Sequence, residues 1–196
     1  MTLDERHEST LALVHAYGRV HPEEHDRLAR VIAHLAEPRD GFTRSNRDGH
    51  MTSSALVLNQ PRTHVLLIHH RFLGLWLQPG GHYEPPGSLW DSARREVAEE
   101  TGVTDLVLCA PFDATGLPID IDSHLIPDRP AKSETPHWHH DLCFLAATTH
   151  SGPLTSQADE IHDARWLPIG DLVGMSNARM ARLGRKLERS ADRMRR

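Results

Sequence analysis

The chain has 196 residues, 38% of them hydrophobic and 25% charged, with a formal charge of −5; this suffices for one well-packed domain with an appendage and argues against two full domains. That charge excludes a global attraction to nucleic acid, and no apolar run approaches the roughly 20 residues of a membrane span. Two cysteines, Cys109 and Cys143, lack metal-ligand spacing and fit a reducing, cytoplasmic compartment better than a disulfide framework. Histidine is unusually frequent at 16 copies, against 27 for aspartate plus glutamate, so individual histidines are candidates for ligand or substrate contacts.

Residues 4–20 read as a helix with Leu11, Val14 and Tyr17 along one side. Pro22 suits a first helical position, and Leu28, Val31, Ile32 and Leu35 keep the i, i+3, i+4, i+7 spacing until Pro38. This helical pair is expected to cap the main domain; the alternative is a dimerisation arm, which would make the chain a homodimer. From Glu37 to Gly49 only Phe42 is apolar, which marks a connector. Arg44, Arg47 and His50 in and beside it are either solvated or within reach of a phosphate. Ala55-Leu56-Val57-Leu58 and Val65-Leu66-Leu67-Ile68, joined by Asn59-Gln60-Pro61-Arg62, read as two strands buried on both faces. His69-His70-Arg71 then carries the second strand toward the glycines after Pro79.

From Gly80 to Val103 a glycine turn is followed by one helix. Ser88 with Asp91 three residues later is a helix start, and Thr101-Gly102 is a stop with glycine free to adopt a left-handed backbone. At about 100° per residue, Glu96, Glu99 and Glu100 fall within an arc of roughly 100°, beside an apolar stripe of Leu89, Ala93 and Val97. Three carboxylates at the edge of a packed helix repel one another, and a divalent cation would relieve that repulsion.

Leu106-Val107-Leu108-Cys109 reads as a short strand. Asp120, Asp122 and His124 alternate, and after a loop containing Pro127, Pro130 and Pro136, His137, His139 and Asp141 alternate again. Each set makes one polar row in extended chain, and antiparallel pairing would bring the rows together. A substrate-recognition face is the preferred reading; a solvated face and a second metal site, zinc included, are the others. Residues 177–196 place Met180, Leu183 and Leu187 at helical spacing among eight Arg or Lys, a solvated amphipathic helix packed by its apolar stripe, with a nucleic-acid contact as the lesser alternative.

Gly81, Arg95, Glu96, Val97, Glu99, Glu100, Gly102 and Val103 occupy eight of the nine fixed positions of G-x5-E-x7-R-E-U-x-E-E-x-G-U, where U is bulky and apolar. The stretch therefore resembles the box of the Nudix hydrolases. Gly87 stands where the box has its first glutamate, a residue that in the family mainly supports the loop and helix. The resemblance implies an α/β/α sandwich around a mixed sheet over residues 41–172, between an N-terminal helical extension (1–40) and a C-terminal basic helix (173–196). It implies Mg²⁺-dependent hydrolysis of a diphosphate linkage in a small molecule, such as a nucleoside diphosphate joined to another group, with Mn²⁺ as a second candidate ion. The Gly80 carbonyl, Glu96, Glu99 and Glu100 are the implied metal ligands, and Arg95 orients Glu96 or its neighbours. One of Glu99, Glu100 and Glu160 would take the proton of the attacking water. Glu160 belongs to a segment, Ala158–Ile169, similar to the acidic run and Trp-x-Pro strand that close many Nudix domains. The face opposite the box helix would supply substrate contacts from Arg71, His82, His124, His137, His139 and Asp141. A ligand-binding or zinc-binding regulator without hydrolysis is the competing expectation. Gly87 favours it, whereas retention of all three glutamates argues against it.

Overall fold

The computed structural model describes residues 2–109, 116–128, 134–155 and 161–194. Helix α1 (Leu3–Val20) is closed at its start by a capping box between Thr2 and Glu5. Pro22 opens a 3₁₀ turn (Pro22–Glu24), and the helix proper, α2, runs His25–Leu35. The expected strand at Ala55 begins six residues earlier, as β1 (Gly49–Leu58). It is followed by β2 (His64–His70), β3 (Leu75–Leu77), β4 (Gly80–His82), α3 (Leu89–Thr101) and β5 (Val107–Leu108). The remainder is β6 (Asp120–Ile126), β7 (His137–Ala147), β8 (Ile161–Pro168), α4 (Ile169–Val173) and α5 (Ala178–Met194).

The eight strands form one mixed sheet in the order β3-β2-β1-β7-β5, with β4 on β1, β6 on β7 and β8 on β2. Among the described residues only β1 and β7 pair in parallel, with His50 opposite His139 and Thr52 opposite Asp141. One edge of β1 is shared: Val57 and Leu58 pair with β2, and Thr52 to Ser54 with β4. This forks the sheet and leaves the short glycine strand beside the polar half of β1.

Alternation along β1 and β7 assigns the two faces. Met51, Ala55, Val57, Leu142, Phe144 and Ala146 join α1, α2 and α3 in one core. Leu56, Leu58, Cys143 and Leu145 join Leu172 of α4 and Met180, Leu183 and Leu187 of α5 in the other. Each face of the sheet is thus covered by helices, the expected sandwich; β1 is buried throughout and β7 from His140 to Ala146.

The expectation of a solvated basic helix at the C-terminus fails on three of its side chains. Arg182 donates to Asp120 through Nε (3.0 Å) and Nη2 (2.9 Å), and to Asp122 at 2.7 Å. Arg179 spans Asp120 (3.3 Å) and Asp141 (2.6 Å), while the fully buried Lys186 ammonium donates to Asp120 at 2.7 Å and to Glu24 at 3.0 Å. The physical reason is that Asp120, itself fully buried, has to be neutralised by cations because water cannot reach it. Glu24, Tyr17 and Arg27 carry the same network into the N-terminal helices, with Arg27 Nη2 donating to Asp120 at 3.3 Å. Those helices therefore pack as a cap on the sheet.

Candidate functional site

The site grows from the contact between β4 and α3. A Cβ on Gly80 would lie 2.3 Å from Ser54 Cβ, and one on Gly81 2.5 Å from the Glu96 carboxyl, so only glycine lets the strand pass between β1 and the helix. Helix α3 starts at Ser88, whose Oγ accepts from Asp91 N (3.1 Å) while Asp91 Oδ2 accepts from Ser88 N (2.9 Å); it stops at Gly102 with φ of 76°. Around Gly87, Tyr83 Oη donates to the Gly87 carbonyl at 2.8 Å, so in this chain a tyrosine supports the loop where the box has glutamate. Leu89, Ala93 and Val97 are buried as expected, which fixes the rotation of the helix and turns its carboxylates toward β4.

Glu96, Glu99 and Glu100, with Gly80, Gly81 and Arg95, line one cavity of about 800 Å³, a volume suited to a nucleotide-sized ligand. Glu100 is almost fully buried and accepts from Gly80 N at 3.0 Å. Arg95 donates to Glu99 Oε2 (2.9 Å), Glu96 Oε1 (2.9 Å) and the His82 carbonyl (3.0 Å). Burial alone would lower the pKa of this guanidinium; Glu96, Glu99 and Glu84 outweigh that and raise it. The donor set of three carboxylates is one that a hard divalent cation accepts. Among the described residues, however, the groups of three or more side chains whose ligand atoms lie within 4.8 Å of one another are His50-His137-His139 and His21-Glu23-Glu24. The box carboxylates share the cavity with Arg95 between Glu96 and Glu99. A second cavity, of about 880 Å³, is lined by Arg30, Trp138 and His140 among others, and by no residue of the box.

The opposite wall is the paired polar rows. Asp122 faces Asp141 and His124 faces His139 across β6 and β7, the antiparallel arrangement that alternation predicts. Arg71, His82, His124, His139 and Asp141 all line the cavity, as do His70, Thr52 and Ser54. His137 stands just outside this lining, with Nδ1 2.8 Å from the Thr135 carbonyl and Nε2 3.2 Å from His139 Nε2. Asp141 is already occupied: it accepts from Thr52 Oγ1 (3.0 Å), Ser54 Oγ (2.5 Å) and Arg179 Nη2 (2.6 Å). Glu160 lies outside the described residues.

Electrostatically the two ends of the rows differ. Burial raises the Asp120 and Asp122 carboxyls, but their partners reverse this and hold both well below the usual carboxylate range: Arg182, Arg179 and Lys186 at Asp120, and the hydrogen bond with His124 together with the two arginines at Asp122. At the histidine end burial dominates, opposed at His50 by the Asn46 carbonyl. It pushes His82 down to about 3 and His50 to about 4, and it holds His139 well below its ordinary value, helped by the imidazoles around it. These rings are neutral at pH 7, each with one donor and one lone pair to offer.

Thr52, Ser54 and Arg179 are cavity residues that the pattern of the sequence does not disclose. The signal for them is indirect: a buried Asp141 requires donors, and a strand that starts at Gly49 brings Thr52 opposite it.

The family model of the NUDIX domain matches residues 49–187. Nudix hydrolase 6 of Arabidopsis thaliana is 30% identical over 128 residues, 61% of this chain and 39% of that protein. The chain spans between 39% and 52% of the length of the curated relatives it matches. Among solved structures, a NUDIX-family hydrolase from Clostridium perfringens superposes with a TM-score of 0.54 at 25% identity, covering 76% of this chain and 99% of its own. An Ap4A hydrolase from C. elegans, at 18% identity, covers 70% of this chain and 94% of its own with a TM-score of 0.52, a likeness of fold. With the family model covering most of the chain, and the box glutamates and glycines standing together around one cavity, this chain belongs to the Nudix family.

Proposed function

We propose that the protein is a divalent-metal-dependent hydrolase of a diphosphate linkage in a nucleoside diphosphate-type small molecule. The observation that carries this reading is the convergence of Glu96, Glu99, Glu100 and Arg95 with the glycine strand on one nucleotide-sized cavity. The description of the Clostridium perfringens neighbour as a hydrolase, and that of Nudix hydrolase 6, support it. In this reading the Gly80 carbonyl, Glu96, Glu99 and Glu100 hold Mg²⁺, with Mn²⁺ as a substitute. The bound ion neutralises charge developing on the phosphates and makes water a better nucleophile near neutral pH. Arg95 fixes Glu96 and Glu99 through two short charge-assisted bonds. One of Glu99, Glu100 and Glu160 accepts the proton as water attacks phosphorus. The bridging P–O bond breaks, and each product leaves with a terminal phosphate. Arg71 faces the substrate as a cation and His82 and His139 as neutral hydrogen-bonding rings, His124 stands beside them, His137 backs His139, and Asp141 acts by holding Arg179 in place.

The protein is proposed to work in the cytoplasm, consistent with its two free cysteines; among the described residues no helix is long and apolar enough to cross a membrane. The reading is tested by incubating the protein with a panel of diphosphate-linked nucleotides and counting phosphate-bearing products with Mg²⁺ and with excess chelator. Turnover of at least one compound that stops on chelation is expected. Absence of turnover across the panel, with Mg²⁺ and Mn²⁺ both tried, would overturn the reading.

A further inference from the structure

We propose that His50, His137 and His139 form a second metal site, separate from the box carboxylates and beside the cavity, that takes a transition-metal ion such as zinc. Three strand positions converge there. His50 on β1 is the register partner of His139 on β7, and His137 shares the face of His139 two residues earlier. One ligand nitrogen from each of the three lies within 4.8 Å of the other two. Between His137 Nε2 and His139 Nε2 the distance is 3.2 Å. Tetrahedral zinc with bonds of about 2.0–2.1 Å sets two nitrogen ligands roughly 3.3–3.4 Å apart, so this pair already has the required spacing.

Two further observations point to a ligand. His50 is 2% exposed; its Nδ1 lies 3.5 Å from the Asn46 carbonyl, and its Nε2 is buried without a hydrogen-bond partner. A buried polar nitrogen left in that state is uncommon, and a metal bond satisfies it. His137 Nδ1 donates to the Thr135 carbonyl at 2.8 Å, which leaves Nε2 with its lone pair. That is the outer-shell carbonyl contact that orients metal-binding histidines elsewhere.

The chemistry of the donors selects the ion. Three imidazoles suit zinc, nickel or copper, whereas magnesium prefers the oxygen donors of the box. With no carboxylate in the set, the ion keeps its full charge. His139 lines the cavity, and the His82 and His124 rings stand 5.1 and 5.7 Å from it, so the site adjoins the cavity through His139. The site rests on these histidines alone and stands apart from the hydrolase reading.

The test uses untagged protein stripped of metal and titrated with Co²⁺ under visible absorption, with excess Mg²⁺ present to occupy the box carboxylates, followed by displacement with Zn²⁺. One Co²⁺ per chain with d–d absorption bands is expected, displaced by one equivalent of Zn²⁺, and zinc should raise the melting temperature. His137→Ala and His139→Ala should each weaken Co²⁺ binding at least tenfold and abolish the zinc-induced rise, whereas His15→Ala, at an exposed histidine on α1, should leave both unchanged. His137→Gln, which keeps bulk and polarity, is measured alongside so that a folding defect in an alanine variant leaves the result decided. No stoichiometric Co²⁺ in the wild type would overturn the site. So would equal binding in the His137 and His139 variants, or loss of binding in His15→Ala.

Discussion

Replacing Asp120 by asparagine keeps the shape of the side chain and removes its charge, so it isolates the electrostatics that tie α5 and the N-terminal helices to β6. Asp120 Oδ1 accepts from Arg27, Arg182 and Lys186, and Oδ2 from Arg179 and Arg182. An asparagine amide nitrogen at the Oδ2 position turns an acceptor into a donor facing two guanidinium groups. Two charge-assisted bonds are lost at about 1.5–3 kcal/mol each, and Arg27, Arg179, Arg182 and the fully buried Lys186 each lose one of their carboxylate partners. Breaking a buried ion pair from one side costs about 3–5 kcal/mol, which agrees with that sum. For a chain of this size the melting temperature should fall by roughly 6–20 °C. Urea titration followed by circular dichroism measures the free energy. The pH dependence adds a second readout. The folded-state carboxyl of Asp120 titrates below its unfolded value, so its stabilisation is present above about pH 4 and disappears as the pH falls toward the folded value. The acid limb of the stability curve should therefore be shallower in Asp120→Asn than in the wild type. A loss below about 1 kcal/mol, or an unchanged acid limb, would refute this account of the network.

Three other variants probe the loop, the helix end and the cavity. Gly87→Glu restores the residue found in the Nudix box, yet a Cβ there comes within 2.9 Å of Asp91 Cβ and disturbs the cap at Ser88; the melting temperature should drop by about 2–4 °C, the scale of a lost cap, and a rise would show that the loop readily accepts glutamate. In Gly102→Ala the new methyl faces both a positive φ and Thr155 Oγ1 at 2.3 Å, so urea titration should report a loss of about 1–2 kcal/mol or more, and a neutral result would contradict the strain. His124→Ala removes a half-exposed ring whose Nδ1 is 3.2 Å from Asp122 Oδ2; kcat/KM for the preferred substrate should fall by about 1–3 kcal/mol in transition-state terms, and a poor substrate should lose less. Equal losses on both substrates would make His124 structural.

Local rules carried much of the fold. The Ser88-Asp91 cap, the Gly102 stop and the Leu89-Ala93-Val97 stripe are read directly from spacing, and they alone orient Glu96, Glu99 and Glu100. Alternation likewise anticipates that the row of Asp120, Asp122 and His124 meets the row of His137, His139 and Asp141. What stayed hidden depends on pairing across distance. Thr52, Ser53 and Ser54 look like loop residues, yet they are buried strand positions; Thr52 and Ser54 have Asp141, 89 and 87 residues away, to satisfy their hydroxyls. Arg179, Arg182 and Lys186 read as a solvated helix face because their partner Asp120 lies some 60 residues earlier. His50 reads as part of a connector, and only the parallel register of β1 and β7 sets it against His139.

Turnover of a diphosphate substrate by Glu99→Gln and Glu100→Gln, measured across a Mg²⁺ titration, bears most directly on the proposed chemistry. Each change keeps the size of the side chain and removes one charge from the carboxylate face of α3. Glu99 is half exposed and bonded only at the surface to Arg95, so its variant should retain the wild-type melting temperature. Turnover in each variant should fall by about two orders of magnitude or more, the scale of losing an electrostatic catalytic group. Near wild-type turnover in both variants, at saturating Mg²⁺ and with the fold intact, would contradict the assignment of the box carboxylates.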